Sequence, residues 1–197
     1  MLVLASASPR RREILQNAGI PFTVQAADIP EIPMEGELPQ AYAERLAREK
    51  ALAVLEKNPD SFVLGADTIV VIENIILGKP RDSDDALRML NLLSGREHHV
   101  ITSVCLAGGQ KSDLSSRFLV PGFVDVRSEI TRVFVGRIAD REIADYIASG
   151  EPMDKAGAYA IQGRASRWIS RIEGDYFNVV GLPVALVYRM MQEHKII

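Results

Sequence analysis

Apolar residues in this chain gather in short runs, separated by stretches with helical spacing, and the alternation predicts strands and helices in turn. Met1-Leu2-Val3-Leu4 reads as a short strand. A helix follows, with Ser8 as N-cap, Pro9 at the first helical position and Gly19 at its end. Phe22 to Ala26 reads as a second strand, and Pro30, Pro33, Gly36 and Pro39 mark a loop that holds Glu31 and Glu35. A helix from Gln40 to Lys57 is stopped by Asn58-Pro59. Next come an apolar strand from Phe62 to Ile72, a turn at Glu73-Asn74, a short partner strand ending at Gly78-Lys79-Pro80, and a helix from Ser83 to Leu93 ended by Gly95. His99 to Ala107 alternates like a half-buried strand. Gly108 to Arg127 carries loop signals and an apolar patch, and Glu129 to Val135 reads as a strand. Asp140 is expected to cap a helix to Ser149, with Gly150 as its stop. A Gly-rich stretch, a strand from Trp168 to Ile172, a Gly174-Asp175 turn and a helix entered at Pro183 complete the pattern. Strands alternating with helices predict an α/β fold of the mixed α+β kind, with ligands held at strand ends.

The 197 residues, 47% of them hydrophobic, suffice for a sizeable core and suit a single domain over 1–197. A formal net charge of -3 argues against general nucleic-acid binding. One cysteine, Cys105, provides no internal disulfide and fits a reducing compartment. Arginines follow the apolar N-terminal run, the reverse of signal-peptide order, and no run is long enough to cross a bilayer. A cytoplasmic protein with no membrane partner is the expectation.

Three features break the local pattern. Ser6-Ala7-Ser8-Pro9-Arg10-Arg11-Arg12 puts three cations in the first turn of a helix, where free N–H groups and the macrodipole make each unfavourable by about 0.3 to 1 kcal/mol. A bound polyanion resolves this for Arg10 and Arg11, because a strand-to-helix turn with guanidinium forks suits phosphate. Arg12 is expected to point to solvent. In the second helix, Ala43, Leu46, Ala47, Ala53 and Val54 form an apolar stripe with Lys50 in its middle, whereas Glu44, Arg45, Arg48 and Glu49 lie opposite. Lys50 either snorkels to an edge or meets an anion. Asp67 interrupts an apolar strand, so it is held by backbone N–H groups, bound to metal or catalytic. Gly65 before it permits close approach of backbone or ligand. Lys79 adds a cation at a strand end, kept extended by Pro80.

Arg10, Arg11, Lys50 and Lys79 with Glu31 and Asp67 outline a nucleoside triphosphate site. Two carboxylates are enough to hold Mg²⁺ or Mn²⁺ when substrate phosphates supply the other ligands. Gly108-Gly109-Gln110-Lys111-Ser112 lacks the glycine spacing of a Walker loop, and there is no G-x-G-x-x-G, H-E-x-x-H, C-x-x-C or G-x-S-x-G pattern. His98, His99 and His194 are expected at the surface.

Together, Ser6-Ala7-Ser8-Pro9-Arg10-Arg11, Leu46-Ala47-Arg48-Glu49-Lys50-Ala51, Gly65-Ala66-Asp67-Thr68-Ile69-Val70, Gly78-Lys79-Pro80, Leu93-Ser94-Gly95-Arg96, Gly150-Glu151-Pro152-Met153-Asp154-Lys155-Ala156-Gly157-Ala158-Tyr159, Ile161-Gln162-Gly163 and Val179-Val180-Gly181-Leu182-Pro183 resemble the Maf nucleotide pyrophosphatases, in family order over nearly the whole chain. The resemblance implies metal-dependent hydrolysis of a nucleoside triphosphate between the α and β phosphates. It also implies a fold related to inosine triphosphate pyrophosphatases, with two lobes around a central cleft, and commonly a homodimer. Asp67 carries over as proton acceptor and Glu31 as metal or water ligand. Lys50 and Lys79 join them in catalysis, and Ser8, Arg10 and Arg11 bind substrate. Arg10, Thr68 and Gln162 match the branch that resembles dTTP/UTP pyrophosphatases, with Thr68 and Gln162 suited to a pyrimidine edge. The Gly108 to Arg127 segment departs from the family pattern by being longer and more apolar, where the lobe edge or dimer contact would lie. The other reading of the same pocket is a nucleotide-binding regulator of septum formation without relevant catalysis.

Overall fold

The computed structural model describes residues 1–108 and 122–197. Its elements are β1 (Leu2–Leu4), α1 (Pro9–Asn17), β2 (Phe22–Val24), α2 (Pro39–Leu55), β3 (Phe62–Ile72), β4 (Ile75–Leu77), α3 (Ser83–Leu93), β5 (Glu97–Gly108), β6 (Phe123–Val135), α4 (Asp140–Ala148), β7 (Ile169–Glu173), α5 (Tyr176–Val180) and α6 (Val184–Glu193). Three 3-10 turns, Glu151–Asp154, Ala156–Ala158 and Arg164–Trp168, fill the Gly-rich stretch. The strands form one mixed sheet in the order β2-β1-β3-β5-β6-β7, with β4 pairing with β3. β1 is parallel to β2 and β3, whereas β3–β4 and β6–β7 are antiparallel. This is the mixed α/β class expected from the alternation.

The chain divides into two compact units. The first holds Met1–Asp67, Thr102–Glu129 and Gly181–Ile197. Val3, Val63, Cys105 and Ala107 from its strands, with Ala5 just past β1, pack there against Ala47, Ala51, Val54 and Leu55 of α2. α1 begins as its residues dictate: Ser8 accepts from the Arg11 N–H and Pro9 opens the helix. Gly19, at φ 68°, ends it, with the Ile20 N–H returning to the Leu15 carbonyl. The second unit holds Thr68–Ile101 and Ile130–Val180. Met89, Leu90 and Leu93 of α3, Ile143 and Tyr146 of α4, and Tyr159 and Trp168 make its core with Val70, Ile72 and Val133. Glu73 and Asn74 both have positive φ in the β3–β4 turn, the geometry of a primed hairpin.

Several boundaries differ from expectation. β6 begins at Phe123, inside the stretch read as loop, and the Gly109–Ser112 portion of the Walker-like run lies outside the described residues. Asp140 is the first helical residue of α4 and not its cap. Ala139 occupies the cap, its N–H donating to the Glu142 carboxylate at 3.1 Å. His98 is buried against the Tyr159 hydroxyl at 2.7 Å and half-buried His194 stacks on Phe123, so only His99 is at the surface. Long-range partners, invisible to local patterning, account for the two histidines.

Candidate active site

α2 and β3 approach closely enough that a β-carbon on Gly65 would lie 2.2 Å from the Ala47 carbonyl oxygen and 2.8 Å from the Ala51 nitrogen. The glycine therefore serves helix–strand packing. Lys50, on the same helical turn, is thereby pressed toward Asp67, two residues beyond Gly65. Its ammonium donates to Asp67 Oδ1 at 2.6 Å and pairs with Glu31 Oε1 at 2.6 Å. Lys50 thus meets anions and does not snorkel, and the buried Asp67 is held by a cation. Both side chains are buried, and removing one partner from such a pair costs about 3–5 kcal/mol.

Arg11 supports the peptide just before Asp67. Its Nη1 donates to the Ala66 carbonyl at 2.9 Å and to Ser6 Oγ at 3.1 Å, and Nε donates to the Gly181 carbonyl at 2.8 Å. Burial presses the guanidinium pKa down, and Asp67 opposes the shift. An arginine stays charged through such a change. The arginine cluster at the start of α1 is therefore resolved partly within the protein: Arg11 finds carbonyl and hydroxyl acceptors, Arg12 is exposed as expected, and Arg10 is half-buried.

Glu31, Lys50 and Asp67 are brought into direct contact, with Arg11 one peptide away and Ser8 capping the helix that carries it. The remaining candidates belong to the second unit. Thr68 follows Asp67 along β3 and is half-buried. Lys79 is exposed on a turn tied at both sides: the Gly78 carbonyl accepts from the Gly157 N–H at 3.0 Å, and the Arg81 N–H donates to Asp85 at 3.2 Å. Gln162 is exposed beside Gly163, where a β-carbon would lie 1.9 Å from Glu151 Oε1. That oxygen accepts from the Arg164 N–H at 2.9 Å and the Tyr146 hydroxyl at 3.0 Å.

Sequence reasoning missed Tyr42, Arg45 and Glu37, which contact the Glu31 loop. Tyr42 donates to the Glu31 carbonyl at 3.1 Å, and Arg45 Nη2 donates to the Ile32 carbonyl at 3.0 Å. A signal was present: Tyr42 lies one turn before Leu46 on the buried stripe, and Arg45 follows it at helical spacing.

Among the described residues no group of three or more His, Cys, Asp and Glu side chains is arranged to hold a metal. Glu31 Oε1 and Asp67 Oδ1 both face the Lys50 ammonium, each at 2.6 Å, and carboxylate oxygens are the donor type that a hard divalent cation takes together with substrate phosphates.

A family model described as Maf-like protein matches residues 1–194. The dTTP/UTP pyrophosphatase of Koribacter versatilis (strain Ellin345) is 56% identical over 191 residues, 97% of this chain and 93% of its own length. Proteins of the same name from Geobacillus sp. (strain WCH70) and Syntrophomonas wolfei are 47% and 48% identical, covering 95% of this chain and 95% and 94% of their own lengths. With the family model covering all but the last three residues, and with such relatives aligned nearly end to end, the chain belongs to the Maf family.

Proposed function

We propose that the protein is a nucleoside triphosphate pyrophosphatase that hydrolyses dTTP and UTP between the α and β phosphates. The supporting observation is the Lys50 ammonium held between Asp67 and Glu31 in a chain that matches dTTP/UTP pyrophosphatases almost end to end. In the reaction a water oxygen bonds to phosphorus, the α–β bridge breaks, and the bridging oxygen leaves with pyrophosphate. Asp67, alone or with Glu31, orients the water and takes its proton as general base. Arg10, Arg11, Lys50 and Lys79 offset the charge of the triphosphate and of the leaving group. Ser8 shapes the helix N-terminus that faces the phosphates. Thr68 and the Gln162 amide read the pyrimidine edge, where a lost hydrogen bond discriminates strongly against the wrong base. Mg²⁺ or Mn²⁺, held by Glu31 and Asp67, would supply Lewis acidity to the phosphate oxygens.

The remaining features of this reading are a single catalytic domain over 1–197, a homodimer, and a cytoplasmic setting with no nucleic-acid or membrane partner. The net charge of -3 and the lack, among the described residues, of any helix long and apolar enough to cross a membrane agree with it.

Purified protein with Mg²⁺ and a panel of triphosphates should release pyrophosphate fastest from dTTP and UTP. Asp67→Asn keeps the oxygen that accepts from Lys50 and loses the base, so turnover should fall by about 10² to 10⁴ while the circular dichroism spectrum stays unchanged. Near-normal turnover in the variant would remove Asp67 from the mechanism.

A further inference from the structure

Every residue from Glu31 to Gly36 is exposed and outside any helix or strand. Ile32 and Met34 are 70% and 59% exposed, so apolar burial does little to hold this segment. The Glu31 carboxylate nevertheless reaches Lys50 at 2.6 Å. Polar contacts from α2 grip the segment. The Tyr42 hydroxyl donates to the Glu31 carbonyl at 3.1 Å, and Arg45 Nη2 donates to the next carbonyl, Ile32, at 3.0 Å. Arg45 also clamps the far end of the loop, with Nε on Glu37 Oε1 at 2.6 Å and Nη2 on Glu37 Oε2 at 2.7 Å. Glu37 Oε2 accepts from the Met34 N–H at 3.0 Å, which closes the loop on itself. Glu49 accepts from Arg45 Nη1 at 3.3 Å, and the guanidinium lies 5.4 Å from the Tyr42 ring centre.

We propose that Tyr42 and Arg45, with Glu37, are positioning residues that set the Glu31 carboxylate for catalysis. Tyr42, Arg45 and Lys50 share one rigid helix, so the brace and the ammonium that receives Glu31 are fixed in one frame. The Arg45 side chain is 19% exposed and that of Glu37 10%, so the bidentate pair is largely shielded from water. Lysine cannot replace arginine here, because a single ammonium cannot span both Glu37 oxygens and the Ile32 carbonyl. The inference rests on the proposed role of Glu31.

The test compares Tyr42→Phe, Arg45→Lys and Arg45→Met with Glu31→Gln, alone and combined. Partners of this outer kind are worth about 10- to 100-fold. The single brace variants should lower kcat by about that factor with little change in KM for dTTP, and should lose nothing further in the Glu31→Gln background. Additive losses in that background, or unchanged kcat in all three variants, would overturn the proposal. Amide hydrogen exchange of 31–37 gives an independent readout. It should speed up in the brace variants while the amides of α2 keep their protection, and unchanged exchange in the loop would overturn the brace itself. If Glu31→Gln alone retains full turnover, the role assigned to Glu31 fails and the catalytic part of the inference fails with it, whereas faster loop exchange would still establish the brace.

Discussion

A lysine on an apolar helix face and an aspartate inside an apolar strand each violate a pattern, and one 2.6 Å bond accounts for both. Such breaks are legible because burial of an unpaired charge is so unfavourable that a partner must exist. The identity of the partner is legible only when both members break a pattern. Glu31 lay in a loop marked only by its prolines and Gly36, and its place on Lys50 depends on contacts that no local spacing encodes. His98 shows the opposite failure. Read from its neighbour His99 it looked like a surface residue, yet it is buried with Nε2 on the Tyr159 hydroxyl. Burial first, and His99 second, lower its pKa from 6.5 to about 4. The folded protein keeps this imidazole neutral, whereas the unfolded chain takes up a proton below pH 6.5. The associated stability is therefore present above that value and is lost as pH falls from 6.5 toward 4, on the order of 3 kcal/mol in all. Urea midpoints measured across this window should decline, and His98→Gln should decline less. An equal slope in the variant would assign the acid sensitivity elsewhere.

At the level of elements, strong periodicity served well: β3 spans Phe62–Ile72 as expected, and α2 and α3 fall within a residue or two of their predicted ends. The misses have physical causes. The start of β6 contains Asp125, a poor strand former, which is satisfied by Arg127 at 2.7 Å and His194 at 2.9 Å. The short α5 was overlooked because only part of its support is local. Asp175 accepts from the Phe177 N–H at 2.7 Å, and buried Asn178 donates to the Val100 carbonyl and to Thr131 Oγ1, far away in sequence. Gly65 was visible as a site of close approach, but the structure shows that α2 is what approaches. This has a consequence for activity. A β-carbon there meets main-chain atoms of Ala47 and Ala51, which cannot rotate aside as a side chain would, so Gly65→Ala must push α2 away from β3. Overpacking of this kind costs about 1–3 kcal/mol, and the same displacement stretches the bond from Lys50 to Asp67. A lower melting temperature together with a fall in kcat larger than the lost stability explains is expected. A variant with wild-type turnover would show that the bond does not matter to the reaction.

For the whole molecule, the question is whether two compact units act as one domain. β3, β5 and β6 each carry residues of both units within a single unbroken strand. A strand that loses order on one side of residue 67 frays the hydrogen-bond ladder on the other side, which favours cooperative unfolding. The chain offers a probe for each unit. Trp168 is its only tryptophan, packed edge-on against Tyr146 at 5.2 Å in the second unit, so its fluorescence reports that core. Amide exchange of α2, whose Ala47, Ala51 and Val54 pack the core of the first unit, reports the other. The midpoints of the two probes in urea should coincide. Binding should preserve the coincidence: a ligand that binds only the folded state, at about 100 times its dissociation constant, adds about 2.7 kcal/mol. Applied to a non-hydrolysed dTTP analogue with Mg²⁺, this should shift both probes together by the same amount. Separate midpoints, or an analogue that moves one probe and leaves the other in place, would divide the chain into independently folding parts and refute the single domain.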